Sequence, residues 1–154
     1  MSILSLGNEN GDVGLFNFTT RTITRENYAN NVVKCLKFST DGAKLFAAIG
    51  NMVYEVETED LHKVTRVYKA PSVITDFSVH WEGGHKLLYT CSDRLIQLWD
   101  ARNIQPYRTF THGFKLNCID ILSQEHVLVT GDSRGSVQSW NVRTMSPTYE
   151  YDYV

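Results

Sequence analysis

Two short stretches decide the fold of this sequence: Ile96-Gln97-Leu98-Trp99-Asp100 and Val137-Gln138-Ser139-Trp140-Asn141. Their tryptophans are 41 positions apart, and a third, similar stretch, Val13-Gly14-Leu15-Phe16-Asn17, places Phe16 83 positions before Trp99. Each stretch follows a turn, at Gly11-Asp12, Asp93-Arg94 and Gly135-Ser136. A period of about 40–45 residues is typical of proteins in which every repeat is one four-stranded sheet.

The rest of the chain alternates apolar and polar residues with period two, which predicts β-strands. Clusters such as Ser39-Thr40-Asp41-Gly42, Gly50-Asn51 and Glu82-Gly83-Gly84 separate the runs and predict turns. Cys35 and Cys118 fall at equivalent places in two predicted first strands. A sandwich or barrel gives no reason for such internal repetition, whereas a propeller of repeated blades does. We therefore predict an all-β chain of propeller blades, each with four antiparallel strands.

Composition excludes several other classes of protein. The chain has 154 residues and a formal net charge of −2, with 42% hydrophobic and 21% charged residues. This balance argues against a strongly basic nucleic-acid binder and against a disordered chain. No apolar run approaches the roughly 20 residues of a membrane helix, and the first residues lack the features of a signal peptide. Three cysteines with no close pair predict a reducing compartment, the cytoplasm or the nucleus.

The motifs Trp99-Asp100, preceded by Asp93, and His112-Gly113, followed 28 residues later by Trp140-Asn141, resemble the WD-repeat (WD40) β-propeller family. The resemblance covers nearly the whole chain. It implies a hydrogen-bonded set in each blade: a His at the blade entrance, a Ser or Thr in the second strand, an Asp in the tight turn and a Trp in the third strand. In one blade Ala70-Pro71 replaces the His, and in the next Arg134 stands at the expected Asp, so the set is predicted to be complete nowhere. The structural blade residues implied are Thr90, Asp93, Trp99, His112, Thr130 and Trp140.

The repeats divide the chain into one propeller segment with a partial blade at 1–29 and full blades at 30–69, 70–111 and 112–154. Because closed propellers have roughly 4–8 blades, we expect that the ring is incomplete from this chain alone. Further chain, a partner protein or a second copy would complete it. The alternating tail Tyr149–Val154 is a candidate for pairing with an open strand edge.

No catalytic, metal or cofactor site is predicted. The histidines are scattered without the spacing of a zinc site, and we interpret His80 and His85 as exposed polar residues around a turn. Glu57 with Glu59-Asp60 is interpreted as a solvated loop, and no nucleophile elbow or phosphate-binding loop is present.

Two surfaces are candidates for partner binding. Turns after the second strands share one face with the loops that enter each blade, and arginine with aromatic residues is typical of interface anchors. The candidates on that face are Tyr28, Asn51, Arg94, Phe114, Lys115 and Arg134. On the opposite face, Asp100, Arg102 and Arg143 belong to two copies of a Trp-Asp/Asn-x-Arg motif. That motif resembles the box by which some WD-repeat proteins dock on a cullin–RING ubiquitin-ligase adaptor.

The resemblance and the lack of a catalytic constellation predict a non-catalytic scaffold, a WD-repeat subunit of a multi-protein complex with protein partners. Two alternatives remain open. One is a subunit of an RNA-processing or ribosome-assembly particle, touching nucleic acid only indirectly because the net charge is −2. The other is a substrate receptor of a cullin–RING ligase. No membrane partner is expected.

Overall fold

A computed structural model describes residues 2–82, 85–122, 126–144 and 146–151, in which β-strands are the only regular secondary structure. Contacts divide the chain into two compact units, Met1–Val73 and Ile74–Val154, and each is described by itself. The strands are β1 (Ile3–Gly7), β2 (Asp12–Asn17), β3 (Thr22–Asn27), β4 (Val33–Phe38), β5 (Lys44–Ile49), β6 (Met52–Glu57), β7 (Val64–Lys69), β8 (Ile74–Glu82), β9 (His85–Ser92), β10 (Leu95–Asp100), β11 (Arg108–Thr111), β12 (Leu116–Leu122), β13 (Val127–Asp132), β14 (Val137–Asn141) and β15 (Ser146–Tyr151).

The strands form four sheets in which sequential strands are antiparallel neighbours. Unit 1 contains sheet 1 (β1-β2-β3) and sheet 2 (β4-β5-β6-β7). Unit 2 contains sheet 3 (β8-β9-β10-β11) and sheet 4 (β12-β13-β14-β15). The predicted all-β fold with four-stranded antiparallel blades is confirmed, and sheet 1 has three strands among the described residues.

Strand register verifies the internal repeat residue by residue. Trp99 lies opposite Leu88, and Trp140 lies opposite Leu128. At the same place in sheet 1, Phe16 lies opposite Leu4. In sheet 2 the corresponding pair is Leu45 with Val56. The four sheets therefore share one register. In each sheet a leucine lies opposite the same position of the repeat, which holds Trp99, Trp140, Phe16 or Val56.

Each unit has its hydrophobic core between its two sheets. In unit 1, Val13 and Leu15 of sheet 1 pack in one cluster with Leu45, Ala47 and Val56 of sheet 2. Burial of a side chain such as Leu15 or Leu45 stabilises the fold by roughly 1.5–3 kcal/mol relative to exposure. These contacts hold the two sheets of the unit face to face.

The core of unit 2 is built in the same way. Tyr89, Ile96 and Leu98 of sheet 3 pack with Ile119 and Leu128 of sheet 4, and the ring of Trp140 is buried in the same cluster. In β12, Leu116 and Ile119 are buried, and the register shift between Leu116 and Cys118 explains why they are three positions apart, whereas Leu122 is exposed.

The last described strand, β15, begins at Ser146 and includes Pro147. The proline is accommodated because β15 is an edge strand and the register shifts between Ser139 and Trp140, beside the Trp140–Pro147 pair. The tail Tyr149–Val154 was a candidate for pairing with an open strand edge, but Tyr149–Tyr151 belong to β15 and pair with β14 inside sheet 4. The residues after Tyr151 lie outside the described ranges.

Strand β6 alternates Met52, Tyr54 and Val56 with Val53 and Glu55. Val53 is fully buried and Glu55 is also buried, so both faces of this strand are covered. The Tyr68 hydroxyl donates a hydrogen bond of 3.1 Å to Glu55 Oε2, which offsets the cost of burying the carboxylate. The division into blades at 30–69, 70–111 and 112–154 remains a prediction.

Candidate interaction surfaces

Buried tryptophan–threonine hydrogen bonds join the second and third strands in both sheets of unit 2. Trp99 Nε1 donates to Thr90 Oγ1 at 3.0 Å, and Trp140 Nε1 donates to Thr130 Oγ1 at 2.9 Å. Both threonines are buried, and a buried indole N–H without a partner would cost free energy. These contacts place the third strands and, with them, the turns at the strand ends.

His112 is paired with a residue that sequence reasoning missed. Its Nε2 lies 3.1 Å from Asp132 Oδ2, and both side chains are buried. Asp132 Oδ1 accepts the backbone N–H groups of Arg134 and Ser136 at 2.9 and 3.0 Å. The sequence assigned the acidic position to 134, two residues too late. The signal that was available is Thr130-Gly131-Asp132, an acid two residues after the threonine.

The environment of Asp132 favours its charged form. Burial alone would raise the pKa of this carboxyl, but the hydrogen bond to His112 and those from the Arg134 and Ser136 N–H groups outweigh burial. The pKa of Asp132 is therefore below its ordinary value of 3.8. A charged Asp132 fixes both the turn at 132–136 and the entrance residue His112.

One end of unit 2, here called the turn end, consists of the turn at Asp93-Arg94, the loop 112–115 and the turn at 132–136. Backbone hydrogen bonds between the two sheets connect these parts. His112 N donates to Arg94 O and Leu116 N donates to Asp93 O, both at 2.7 Å. Ser133 N in turn donates to Lys115 O at 2.8 Å. These hydrogen bonds connect the turn after β9 to the loop 112–115, and that loop to the turn after β13. Asp93 has a φ of 50°, so it forms the tight turn itself.

Basic and aromatic side chains cover this turn end. The Arg134 guanidinium lies 3.5 Å from the centre of the Phe114 ring, within the range of a cation–π contact. Phe114 remains 38% exposed, and Arg94, Lys115 and Arg134 are exposed. The structure therefore brings together four of the candidates that sequence reasoning placed on one face.

The two candidates in unit 1 are engaged in packing. The Tyr28 hydroxyl donates to Leu61 O at 2.6 Å, and its ring stacks on Tyr54 with 5.3 Å between ring centroids. Burial, followed by the charges of Glu26 and Asp60, raises the pKa of Tyr28 well above 10.0. Asn51 binds Ala70, the residue that follows β7. Its side-chain Nδ2 donates to Ala70 O, and its backbone carbonyl accepts from Ala70 N. Tyr28 and Asn51 thus form hydrogen bonds with loops of their own chain.

The opposite end of unit 2 carries the second predicted surface. Asp100 accepts Arg102 N and Nε at Oδ1 and Arg102 Nη2 at Oδ2, at 2.5–3.0 Å. This ion pair raises the pKa of Arg102. Arg143 Nη2 lies 3.3 Å from His126 Nε2, and Arg143 O accepts from Arg108 Nη1 at 3.4 Å. Each arginine of this end is already bound to its own chain.

The described residues contain no group of three or more His, Cys, Asp or Glu placed to hold a metal ion. Over the same ranges, no helix is long and apolar enough to cross a membrane. The interpretation of His80 as an exposed turn residue is wrong, because His80 lies within β8 and is buried. The side chain of His85 lies outside the described part of the structure.

Comparison with known proteins identifies the repeat. Residues 62–100, which end at Trp99-Asp100, match the model of the WD40 family, "WD domain, G-beta repeat". Residues 62–100 carry a WD repeat. The WD-repeat chain is 28% identical over 127 residues to the target of rapamycin complex subunit wat1 of Schizosaccharomyces pombe, covering 80% of this chain and 40% of that protein.

A mouse relative, target of rapamycin complex subunit LST8, is 23% identical over 130 residues, covering 81% of this chain and 38% of that protein. Protein RBL of Arabidopsis thaliana is 32% identical over 83 residues, 51% of this chain and 15% of that protein. The WD-repeat chain thus spans about two fifths, or less, of the length of these relatives.

Solved structures match almost all of the WD-repeat chain in fold. A chain of the mitotic checkpoint complex superposes with a TM-score of 0.81 at 20% identity, over 98% of this chain and 48% of that one. The structure of U3-55K superposes with a TM-score of 0.82 at 16% identity, again over 98% and 48%. At these identities the match concerns the fold of β-propeller blades.

Proposed function

We propose that the WD-repeat chain is a non-catalytic scaffold that binds protein partners within a multi-protein complex. The observation that carries this proposal is the turn end of unit 2, where the exposed Arg134 lies over the Phe114 ring and the exposed Arg94 and Lys115 stand on turns hydrogen-bonded to the same loop. Relatives whose names describe them as subunits of the target of rapamycin complex support the same role.

The chemistry of the turn end defines the partner. Arg94, Lys115 and Arg134 give it positive charge, while the buried Asp132 behind it is bound to His112. Phe114 offers an aromatic face that is held in place by Arg134. An acidic protein segment with an apolar or aromatic anchor complements this surface, because arginine and aromatic residues at the centre of an interface carry most of its binding energy.

The experiment compares two double variants of the full 154-residue chain. Arg94→Ala with Arg134→Ala changes the turn end, and Arg102→Ala with Arg143→Ala changes the opposite end as a matched loss of two arginines. Tagged chains are expressed in the cells from which the protein comes, and co-purified proteins are quantified by mass spectrometry. We expect that the turn-end variant loses the partners of the wild type and that the opposite-end variant keeps them.

The reverse result would overturn the turn-end assignment and favour the docking role that the Trp-Asp-x-Arg motif resembles. The ion pair between Arg102 and Asp100 disfavours that role, since a partner would have to break it. The RNA-particle alternative is tested in the same purification. If the co-purified proteins leave after nuclease treatment, nucleic acid bridges them, and the chain itself is not their receptor.

A further inference from the structure

The turn between β14 and β15 carries two exposed hydroxyl groups at the opposite end of unit 2. Asn141 Oδ1 accepts the backbone N–H groups of Arg143 and Thr144 at 2.9 and 3.1 Å, which fixes the turn. Thr144 Oγ1 and Ser146 Oγ lie 2.8 Å apart, and both residues are exposed. Ser146 is the first residue of β15, so its hydroxyl lies where the chain leaves the turn.

The turn between β2 and β3 in sheet 1 has the same geometry and provides an internal reference. Asn17 Oδ1 accepts the backbone N–H groups of Thr19 and Thr20 at 2.9 and 3.2 Å. Thr20 Oγ1 and Thr22 Oγ1 lie 2.7 Å apart, and Thr22 is the first residue of β3. The hydroxyl groups of Thr22 and Ser146 therefore occupy equivalent, exposed positions.

The residue after the hydroxyl distinguishes the two turns. Ser146 precedes Pro147, whereas Thr22 precedes Ile23. The other two prolines of the chain follow alanine and glutamine, so Ser146 is the one Ser or Thr in the 154 residues that precedes a proline. Proline has no N–H. A protein kinase whose site has no acceptor for this N–H selects proline, because any other residue would bury an unpaired donor.

Pro147 also makes the start of β15 easy to open. It pairs with Trp140, to which it donates no backbone hydrogen bond, and the register shifts beside it, between Ser139 and Trp140. β15 is an edge strand among the described residues, and each of its residues is exposed. A short exposed segment with few hydrogen bonds opens at low cost in free energy, so Ser146 can enter the active site of another protein in extended form.

Basic side chains meet at the same turn. Arg143 Nη2 lies 3.3 Å from His126 Nε2, and Arg108 Nη1 donates to Arg143 O at 3.4 Å. Both arginines are exposed. A phosphate on Ser146 would carry a charge of about −1.5 to −2 at pH 7 and three acceptor oxygens. Arginines at the turn that ends on Ser146 can donate charge-assisted hydrogen bonds to such a group.

We propose that Ser146 is a phosphorylation site for a protein kinase that requires proline after the acceptor, and that Arg143 and Arg108 bind the phosphate. In the transfer, Ser146 Oγ forms a bond to the γ-phosphorus of ATP while the bond from that phosphorus to the β–γ bridging oxygen breaks. ADP leaves with the electron pair, and the hydroxyl proton passes to the catalytic base of the kinase. This inference does not depend on the partner proposed for the turn end.

The first experiment treats the full folded chain with ATP and a purified proline-directed kinase, and locates the phosphate by mass spectrometry. We expect phosphate on Ser146 and none on Thr22. Pro147→Ile, which copies the residue after Thr22, should slow phosphorylation about tenfold or more. Pro106→Ala is the matched loss of a proline elsewhere and should leave the rate unchanged. The chain isolated from its own cells with a phosphatase inhibitor should carry the same phosphate.

The second experiment follows the phosphate by ³¹P NMR as the pH is varied. The second pKa of a phosphoserine is about 6 when nothing binds it. Donors from Arg143 and Arg108 favour the dianion, so this pKa should lie about 0.5 unit or more below that of the phosphorylated peptide 144–151. Arg108→Ala with Arg143→Ala should restore the value of the peptide. Arg102→Ala, a loss of charge at the same end, should not.

Four results would overturn the proposal. The first is phosphorylation of the peptide 144–151 but not of the folded chain, which would mean that the start of β15 does not open. The second is phosphate on Thr144 instead of Ser146. The third is the absence of phosphate at Ser146 in the chain isolated from its own cells. The fourth is a phosphate pKa that does not change when Arg108 and Arg143 are removed, which would overturn their assignment as its ligands.

Discussion

His112 and Asp132 meet inside the last sheet, with Nε2 of the histidine 3.1 Å from Oδ2 of the aspartate. The pair connects the loop that enters the sheet to the turn between its second and third strands. The His112 ring also packs edge-on against Trp140, with 6.0 Å between ring centroids. The fixed position of Phe114 and Arg134 at the turn end depends on this buried pair.

Replacement of Asp132 tests the pair and the turn separately. Asp132→Ala should lower the free energy of unfolding by about 2–3 kcal/mol, because it leaves His112 and two backbone N–H groups without an acceptor. Asp132→Asn should cost less, because Asn8 makes the same two turn hydrogen bonds at the equivalent place in sheet 1. Urea unfolding of both variants measures the difference, and equal losses would contradict it.

Acid should remove the contribution of Asp132. Its pKa is lowered in the folded protein, so its stabilising effect is complete above the ordinary value of 3.8 and is lost as the pH falls through the lowered value. The stability difference between the wild type and Asp132→Asn should therefore shrink below about pH 4. Thermal melts between pH 3 and pH 7 measure it, and a constant difference would show that the charge of Asp132 plays no part.

The Trp99–Thr90 hydrogen bond should give a measurable coupling. Thr90→Val leaves the buried indole N–H without an acceptor, while Trp99→Phe removes the donor. We expect that the double variant is more stable than the sum of the single losses indicates, by about 1 kcal/mol. Chemical unfolding of the four proteins completes the cycle. A coupling of zero would mean that the hydroxyl of Thr90 contributes nothing.

Two glycines with the same backbone conformation should respond differently to alanine. Gly11 and Gly135 have φ values of 89° and 88°. A Cβ at Gly11 would lie 1.7 Å from Ala29 O, whereas a Cβ at Gly135 would meet nothing within 4 Å. Gly135→Ala should cost about 1 kcal/mol from backbone strain alone. Gly11→Ala should cost about 2 kcal/mol more because the loop at Ala29 must move. Melting temperatures of the two variants give the comparison.

Salt should separate the charged and aromatic parts of the turn end. Once a partner has been purified, Arg134→Ala should weaken its binding and flatten the dependence of affinity on salt. Phe114→Ala should weaken binding without changing the salt dependence of the remaining contacts. Titration calorimetry at two salt concentrations distinguishes the two effects. If the affinity of the partner is the same at both salt concentrations, the partner is not the acidic segment proposed.

Tyr28 should matter for stability and not for partner binding. Tyr28→Phe removes the hydrogen bond to Leu61 O and should cost about 1 kcal/mol. Because the pKa of Tyr28 is raised by burial, its phenol should stay protonated when exposed tyrosines ionise. The absorbance titration of the wild type and of Tyr28→Phe should therefore coincide up to about pH 11. Loss of partner binding in Tyr28→Phe would contradict this prediction and would show that Tyr28 belongs to the interface.

The fold could be predicted because short local patterns of sequence identify the repeat. The spacing of Trp99 and Trp140, the turn residues between strands and the period of two are properties of neighbouring residues. They predicted antiparallel sheets of four strands, which sheets 2, 3 and 4 show. The position of Pro147 inside β15 could not be predicted, because local rules exclude proline from regular strands and the register irregularity that admits it depends on pairing with β14.

The site was predictable only where it consists of exposed turn residues. Arg94, Phe114, Lys115 and Arg134 could be grouped because each lies next to a turn signal. The partner of His112 was missed because its choice depends on distance across the sheet, which the spacing of one family motif does not specify. Tyr28 was taken for a surface residue because a sequence does not show that its hydroxyl reaches Leu61.

The first strands β4, β8 and β12 share a register shift at the same place, between Val33 and Cys35, Ile74 and Asp76, and Leu116 and Cys118. A bulge adds one residue to one strand of a pair, so substitution alone does not create it. The added residue differs in each sheet, being Lys34, Thr75 or Asn117, yet its place is the same. The irregularity of the backbone at this place therefore does not require one particular side chain at the added position.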